Sequence, residues 1–388
     1  MLNSRPSSSG PFLVSIAPIH WQPSAPLQRL DLPWLTQAGV EVAVLRLDLI
    51  DPLISGNKWF KLAHHLAAAS EVNAKGVISL GGAHSNHLHA LAAAGKRFGF
   101  ATVGLLRGHA VETPTTVDLQ AFGMHLHWLG YGGYRARHEP DFWPSWLTQY
   151  PDFYPIPEGG GGLPGALGCA GLLEMAHEQL SELGWSDYHG WWLAAGTGTT
   201  LAGLVLAEDG AHPVYGAMAV PDDHGVEQNV TAILAHRKTG TDCVKTTALG
   251  NTALKTGEKC SFRTPRLRFF ACFCLVLPSL ATFSHSLGRS ELVREASSLT
   301  HRLANKFAPT DDYILISASR GGFAKTDPHL LDFIASSESQ SGIPLEPLYT
   351  GKALLALHDE VVAGRFPVGT RLIFIHTGGL QGRRAMGL

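Results

Sequence analysis

The sequence predicts an α/β protein built on open, doubly wound parallel sheets, and two observations predict it. The first is a recurring unit in which a short apolar run is followed by a glycine-rich turn and then by a helical pattern. Apolar runs that alternate with helices indicate parallel strands covered on both faces. The second is the position of the glycine clusters at the predicted carboxyl ends of the strands, where ligands of such sheets bind.

The unit recurs along much of the chain. A strand over 76–80 leads into the turn Gly81-Gly82, and a helix is predicted from Asn86 to Phe98. Apolar runs at 101–107 and 125–130 predict two more strands. Another run over 191–196 precedes a helix that is predicted to begin at about Thr200. The last run, over 371–379, ends in a further pair of glycines.

Composition and charge exclude several classes of protein. The chain has 388 residues, enough for two or three domains, and 45% of them are apolar, which indicates a globular protein with a sizeable core. Thirty basic and 32 acidic residues give a net charge of −2, so no field favours nucleic acid or a membrane surface. The longest apolar stretch, 269–283, is too short to span a bilayer and contains Pro278. Residues 1–24 are predicted to be a polar tail without the pattern of a signal peptide.

The segment 236–288 does not follow the repeating unit. Its first part, 236–268, has eight basic and two acidic residues, and four of the five cysteines of the chain lie between 243 and 274. We interpret the segment as an insertion. A zinc site is not favoured because the cysteines lack a C-x-x-C pair, and nucleic-acid binding is not favoured because aromatic residues do not alternate with the charges. An odd number of cysteines argues against a disulfide framework and predicts a reducing, cytoplasmic environment.

The clearest local motif is the 196–200 loop, which follows a predicted strand and opens a helix. Freed backbone N–H groups, hydroxyl groups and the positive end of a helix suit a phosphate group. The lysine of a nucleotide-binding P-loop is absent, and Leu201 occupies the third glycine position of the dinucleotide fingerprint, so a single phosphate monoester is the predicted ligand. The alternative is a helix capped by threonine. The predicted phosphate-binding residues are Gly196, Thr197, Gly198, Thr199 and Thr200.

A second motif, 81–89, also joins a strand to a helix. Ser85 and Asn86 can either cap the helix or present a hydroxyl and an amide to a bound ring. Three histidines at 84, 87 and 89 do not share one helical face, so a metal site is not predicted.

The third motif is Ser55-Gly-Asn-Lys58, a tight turn followed by a helical pattern. A lysine at a helix start, close to Lys61, has its charged form disfavoured. A neutral amine is what Schiff-base formation with an aldehyde requires. A lysine, a monophosphate loop and an asparagine-bearing turn, each at a strand–helix junction, together suggest pyridoxal phosphate.

These motifs resemble those of the 1-aminocyclopropane-1-carboxylate deaminase and D-cysteine desulfhydrase family. The resemblance rests on several motifs in family order, and it covers roughly residues 25–235 and 310–385. The motifs are SGNK at 55–58, GG-x-x-SN at 81–86, PEGG at 157–160, TGTT at 197–200, LYTGK at 348–352 and HTGG at 376–379. The resemblance implies pyridoxal 5'-phosphate as cofactor and the tryptophan synthase β-like fold (fold type II), with two open sheet domains. It also implies a homodimer.

The resemblance assigns roles to individual residues. Lys58 is expected to hold the cofactor covalently, and Asn86 to bind the hydroxyl group of its ring. Ser85 is expected to contact the substrate and to help move its proton. Tyr349 is expected beside the ring, and Thr350 is expected to face its nitrogen. The 196–200 loop is expected to hold the phosphate.

The chain departs from the family pattern at three places. Thr350 replaces the glutamate of the deaminase branch, which predicts an unprotonated ring nitrogen and a weaker electron sink. Phe323 stands where both branches carry an active-site tyrosine. Residues 159–165 lack the usual Ser-Asn pair, so the carboxylate side of the substrate site is expected to differ.

The predicted activity is elimination from a small amino acid that yields a 2-keto acid and ammonia, as in D-cysteine desulfhydrase. Ring opening as in the deaminase, a phosphate-binding module without catalysis, and an enzyme impaired by the insertion are the alternatives. The predicted large domain is 25–62 with 169–388, and the predicted small mobile domain is 63–168.

Overall fold

The protein is described by a computed structural model that covers residues 15–238, 312–322 and 324–386. Within these residues the strands form one sheet of six strands and one of four. The strands are β1 (Leu27–Arg29), β2 (Glu41–Arg46), β3 (Gly76–Gly81), β4 (Ala101–Leu106), β5 (His125–Trp128), β6 (Phe153–Ile156), β7 (Gly190–Ala195), β8 (Val214–Met218), β9 (Tyr313–Ser317) and β10 (Arg371–His376).

Both sheets are parallel, apart from one edge strand. The larger sheet has the order β1-β2-β10-β7-β8-β9, and only β1 is antiparallel to its neighbour. The smaller sheet has the order β5-β4-β3-β6 and is parallel throughout. The predicted α/β class with parallel sheets is therefore confirmed. The antiparallel strand β1 was not predicted, because three residues are too few to show an alternation of apolar and polar side chains.

Helices connect the strands in both sheets. Along the described stretches, no helix combines the length and the apolarity needed to cross a bilayer. The helices are α1 (Pro33–Ala38), α2 (Lys58–Glu71), α3 (Asn86–Phe98), α4 (Pro114–Ala121), α5 (Gly130–Arg135), α6 (Phe142–Gln149), α7 (Gly162–Ala170), α8 (Leu172–His177), α9 (Thr199–Glu208), α10 (Val226–Lys238), α11 (Pro328–Ser341) and α12 (Thr350–Val362).

Two of the predicted motifs directly follow inner strands of the two sheets. Every residue of β3 and of β7 is buried, as expected for parallel strands covered on both faces. The carboxyl end of β3 leads into the motif at 81–89, and the carboxyl end of β7 leads into the 196–200 loop. Two of the candidate site segments therefore follow directly from interior strands, where side chains and backbone are held most firmly.

Helix starts agree closely with the sequence pattern. Helix α3 begins at Asn86 as predicted, because the hydroxyl oxygen of Ser85 accepts a hydrogen bond from the N–H of Leu88 over 3.2 Å. Helix α9 begins at Thr199, one residue before the predicted position. Helix α2 begins at Lys58 itself.

The predicted domain boundaries fall inside continuous helices. The boundary at 62/63 lies within α2, and the boundary at 168/169 lies within α7. The strands of the smaller sheet all belong to the predicted small domain, whose mobility stays a prediction.

Three sequence expectations concern the edges of the described ranges. Ile16, in the predicted polar tail, is buried, and its N–H donates to the carbonyl oxygen of Ala74 over 2.8 Å. Ile16 therefore packs against the fold, and the extent of the predicted tail stays a prediction. The predicted insertion at 236–288 lies outside the described residues except for the last turn of α10, and so does Phe323.

Candidate active site

The turn before Lys58 is held against the end of β10. The N–H of Asn57 donates to the carbonyl oxygen of Thr377 over 3.2 Å. Gly56 has a φ of +78°, and a Cβ at this position would lie 2.1 Å from the same carbonyl oxygen. Only glycine allows this approach, so the turn fixes where α2 and Lys58 begin.

The side-chain amide of Asn57 connects Lys58 to the 196–200 loop. Lys58 Nζ donates to Asn57 Oδ1 over 2.7 Å, and Asn57 Nδ2 donates to Thr200 Oγ1 over 2.9 Å. Both Asn57 and Thr200 are buried. Asn57 is a site residue that the sequence pattern does not reveal, because Thr200 lies 143 residues away.

The side-chain amine of Lys58 has a pKa close to neutral pH. Burial, and after it the positive charge of Lys61, lower the pKa of Lys58 from 10.5 to about 7. The start of a helix disfavours a cation in the same direction. A substantial fraction of the amine is therefore unprotonated at neutral pH, as a nucleophile or a base requires.

Lys61 has a different position and a different partner. It is buried one turn along α2, and its Nζ lies 3.5 Å from Thr197 Oγ1. Its ammonium group therefore reaches the 196–200 loop, whereas the amine of Lys58 is held by Asn57. This contact places the side-chain nitrogen of Lys61 beside the candidate phosphate loop.

The 196–200 loop carries hydroxyl groups and a helix start. Gly198, with a φ of +74°, directly precedes α9. Thr197 Oγ1 and Thr199 Oγ1 are 3.0 Å apart, and Asn229 Nδ2 donates to the backbone carbonyl of Thr197. Backbone N–H groups at a helix start, hydroxyl groups and the ammonium group of Lys61 make this loop suitable for a phosphate dianion.

Tyr349 packs directly on this loop. A Cβ at Gly196 would lie 3.0 Å from Cε1 of the Tyr349 ring, so the absence of a side chain there lets the ring approach. Burial, with the charges of Glu346 and Glu158 added to it, raises the pKa of Tyr349. The phenol therefore stays protonated at neutral pH and can donate a hydrogen bond.

Thr350, the first residue of α12, is fully buried. Its side chain contacts the buried residue Glu346, whose backbone N–H donates to Thr350 Oγ1 over 2.9 Å. Glu346 is a second site residue that was not anticipated. An acidic residue shortly before the start of a helix is the signal that could have identified it.

Ser85 and Asn86 lie at the start of α3. The cap that Ser85 forms uses a lone pair of its hydroxyl oxygen and leaves the hydroxyl hydrogen for another acceptor. Asn86 Oδ1 accepts a hydrogen bond from Gln381 Nε2 over 2.8 Å. The amide of Asn86 is thereby oriented so that Nδ2, a donor, is turned towards Gly379, where a Cβ would lie 2.7 Å from it.

Two buried histidines, His65 and His87, lie beside Gly160 and Gly161, and each is held in a single tautomer. Ser79 donates its hydroxyl hydrogen to the carbonyl oxygen of Ile156 over 2.9 Å, so it can only accept from His87 Nε2, at 2.8 Å. His65 Nε2 likewise donates to the carbonyl oxygen of Gly161 over 3.0 Å. Each ring therefore carries its hydrogen on Nε2. Each Nδ1 is a buried acceptor without a hydrogen-bond partner among the described residues.

The charge of His87 follows from its surroundings. Burial, and after it the positive charges of Lys58 and Lys61, hold the pKa of His87 well below 6.5. A Cβ at Gly160 would lie 3.5 Å from His87 Nδ1. The ring is therefore a neutral acceptor close to the site.

No cluster of three or more metal-binding side chains occurs within the described residues, and His84 is exposed.

The predicted site residues thus form connected pairs. The Gly56 turn contacts the residue that follows β10, and Lys58 is linked through Asn57 to Thr200. Lys61 contacts Thr197, and Tyr349 packs on Gly196. Asn86 and Glu346 both lie within 3.5 Å of the position that a Cβ at Gly379 would take, and Glu346 contacts Thr350. The roles of these residues towards a cofactor and a substrate stay predictions.

Pyridoxal phosphate, the cofactor implied by the resemblance, fits the residues that are present. A poorly protonated lysine amine can bond its aldehyde, and the 196–200 loop suits its phosphate. The lack of a Cβ at Gly196 and at Gly379 lets Tyr349 and Asn86, two residues expected beside the ring, approach the backbone closely. The donor Nδ2 of Asn86 suits an oxygen atom on the ring.

Several known proteins are similar to the chain in sequence. A putative 1-aminocyclopropane-1-carboxylate deaminase of Pyrococcus abyssi is 25% identical over 369 residues, which cover 90% of this chain and 91% of the relative. A D-cysteine desulfhydrase of Salmonella choleraesuis is 24% identical over 354 residues, covering 88% of this chain and 87% of the relative. The resemblance to this family is confirmed. No family model matches the chain.

The fold is shared as well. A crystal structure described as that of an ACC deaminase homologue superimposes with a TM-score of 0.63 at 22% identity, covering 95% of this chain and 93% of that one. The predicted fold type is confirmed. The chain is an enzyme, as its named relatives indicate.

Proposed function

We propose that this enzyme uses pyridoxal phosphate to remove the α-proton of a small amino acid and to expel a substituent from its β-carbon. With cysteine as the example, one water is consumed and the products are a 2-keto acid, ammonia and hydrogen sulfide. The observation that carries the proposal is the amine of Lys58. It is held by Asn57, which is bonded to Thr200 of the candidate phosphate loop, and its pKa is about 7.

The cofactor would supply an aldehyde for the lysine amine and a ring that withdraws electrons from the α-carbon of the substrate. Lys58, Asn86 and the 196–200 loop would hold it. All other steps depend on residues of the chain.

Lys58 is suited to remove and return protons. A base with a pKa near the working pH takes up a proton readily and releases it again. Asn57 Oδ1, at 2.7 Å, keeps the amine in place in both states, because an amide oxygen accepts from an ammonium and from an amine alike. Ser85 is proposed to assist through the hydroxyl hydrogen that its helix cap leaves free.

Tyr349 and the buried histidines set the polarity around the substrate. A protonated phenol can donate a hydrogen to a leaving group or orient it. The Nδ1 lone pair of His87 accepts hydrogen bonds without adding a positive charge beside Lys58. Burial of these groups strengthens each interaction and keeps water out until elimination is complete.

The experiment begins with purified protein and added pyridoxal phosphate. We expect a visible chromophore that borohydride reduces onto the peptide containing Lys58, and no such product in Lys58→Ala. Reduction onto Lys61 would show that the turn has been assigned wrongly. A colourless protein that still binds inorganic phosphate would favour a binding module instead.

Release of keto acid then identifies the substrate. The compounds to compare are D-cysteine, L-cysteine, β-chloroalanine, serine and 1-aminocyclopropane-1-carboxylate. We expect the compounds with a good β-leaving group to react fastest. If the chromophore forms and none of the five releases keto acid, the elimination is refuted while the cofactor remains. Sedimentation of the same sample tests the proposed homodimer.

A further inference from the structure

His376, the last residue of β10, is fully buried, and its imidazole ring contacts three segments of the chain. Nε2 lies 2.7 Å from the carbonyl oxygen of Pro344. Nδ1 lies 3.2 Å from Asp48 Oδ1 and 3.3 Å from the backbone nitrogen of Gly378. A segment before α2, a segment before α12 and the end of β10 therefore meet at one ring.

The position of the ring hydrogen follows from these partners. A carbonyl oxygen can only accept, so the ring nitrogen that faces Pro344 must carry the hydrogen. Nδ1 of a neutral ring then has a lone pair, and the backbone N–H of Gly378 donates to it. Burial is the largest influence on the pKa of His376 and lowers it from 6.5, so the ring is neutral at pH 7.

The charged groups that face the ring are Asp48 and Arg46. Arg46 donates to both carboxylate oxygens of Asp48, from Nε to Oδ1 over 2.9 Å and from Nη2 to Oδ2 over 2.6 Å. Asp48 raises the pKa of the ring, and Arg46 lowers it. Because Arg46 already compensates the carboxylate, Asp48 does not require a second cation beside it.

The bond from Gly378 to His376 holds a turn of two glycines. The N–H of Gly378 is buried, and Nδ1 of His376 is its only acceptor among the described residues. The φ angles are +78° at Gly378 and +91° at Gly379. A Cβ at Gly378 would lie 2.5 Å from Cα of Gly56, and a Cβ at Gly379 would lie 2.7 Å from Asn86 Nδ2. The two-glycine turn therefore lies between the turn that begins α2 and Asn86.

We propose that neutral His376 is a positioning residue that holds the two-glycine turn in the geometry the cofactor needs. Its Nδ1 does so by accepting the N–H of Gly378. The inference rests on the proposed function, because it takes this turn to be part of a site for pyridoxal phosphate. A proton taken up from solvent by Nδ1 makes it a donor to Asp48 and leaves the buried N–H of Gly378 without an acceptor. Protonation of the ring therefore releases the turn and weakens cofactor binding.

The first test is ¹⁵N NMR of the full-length enzyme with labelled histidine and glycine. At pH 7.5 we expect the ring of His376 to carry its hydrogen on Nε2 and a lone pair on Nδ1, and His376→Asn identifies its resonances. On acidification the amide resonance of Gly378 should move as the ring is protonated. A hydrogen on Nδ1 at pH 7.5, or a Gly378 amide that stays unchanged when the ring is protonated, would overturn the inference.

The second test measures the dissociation constant of pyridoxal phosphate in two variants. His376→Gln keeps a donor for Pro344 but loses the acceptor for Gly378, so the constant should rise about tenfold. His376→Asn can accept the N–H two residues further along the chain, as asparagine does in Asx turns, so the constant should rise no more than about twofold. Equal losses in the two variants would contradict the assigned role. The NMR measurement on the wild type decides the matter if His376→Gln folds poorly.

His189→Gln is the matched control. His189 Nδ1 also accepts a backbone N–H, that of Arg371 over 2.9 Å, but at the opposite end of β10. Its variant should leave the dissociation constant unchanged, and a rise as large as that of His376→Gln would overturn the inference alone. Failure of pyridoxal phosphate to bond Lys58 would overturn the proposed function, whereas the NMR measurement would still decide whether His376 holds Gly378.

Discussion

The starts of helices α2 and α12 place opposite charges in the same kind of position. Lys58 begins α2, where the helix end is positive and a cation is disfavoured. Glu346 precedes α12, where three backbone N–H groups favour its anion. Burial opposes the charge in both cases, and the pKa values become about 7 and about 6. The lysine at one helix start is therefore partly neutral and can act as a nucleophile or a base. The glutamate at the other stays charged and accepts hydrogen bonds from its neighbours.

The largest effect is expected from removing the amine. Lys58→Ala should lower the rate of keto-acid release at least about a thousand-fold, because a covalent and proton-transferring group is lost. The partly exposed Lys75, which pairs with Asp152, provides the control, and Lys75→Ala should retain full activity. Comparable activity in the two variants would remove Lys58 from the mechanism.

A large loss of stability is expected at the other helix start. Glu346→Ala leaves three buried N–H groups without an acceptor, which should cost about 3 kcal/mol of the free energy of unfolding. Glu227, an exposed acid in the first turn of α10, gives the matched comparison, and Glu227→Ala should cost no more than about 0.5 kcal/mol. Urea unfolding measures both. Equal losses would mean that the three hydrogen bonds do not matter.

The two helix starts should also give opposite slopes of stability against pH. Glu346 has a higher pKa in the folded state, about 6 against 4.5, so between these values the folded state binds more protons and stability falls as pH rises. The change over that window is about 2 kcal/mol. Unfolding curves of Glu346→Gln should lack this component, and an unaltered slope would contradict its assignment.

Lys58 should act in the opposite direction at higher pH. Its pKa is about 7 in the folded state and 10.5 when unfolded, so between these values the unfolded state binds more protons. Stability should therefore rise with pH across that window, and Lys58→Met should flatten the rise. A rise of the same size in the variant would place the titrating group elsewhere.

The smallest effect is expected from the neighbouring lysine. Lys61→Gln removes the second cause of the lowered pKa of Lys58, so the pKa should move upward from about 7. Burial, the larger cause, remains, and the pKa should stay below 10.5. The rate at which an amine reagent labels Lys58, followed against pH by mass spectrometry, measures the shift. A downward shift would show that Lys61 does not act through its charge.

Local patterns were sufficient to predict the elements that carry the site. The helix Asn86–Phe98 was predicted with its observed bounds, because a serine cap and a terminal glycine encode both ends locally. The start of α9 was placed within one residue for a similar reason. The three-residue strand β1 was not predicted, and Ile16 was assigned to a tail, since neither has enough neighbours to show a period.

The sequence by itself determined the fold class and the strand–turn–helix junctions, and it nominated Lys58 and the 196–200 loop as candidates, because each depends on residues close together in the chain. Only the tertiary structure decided which groups meet. Asn57 bonds Thr200 across 143 residues, and Asn86 bonds Gln381 across 295. The hydrogen bonds of Glu346 are local in sequence, yet they follow from its burial, which leaves the backbone N–H groups at the start of α12 as its partners. Burial and long-range pairing arise when the sheets assemble, so no local pattern encodes them.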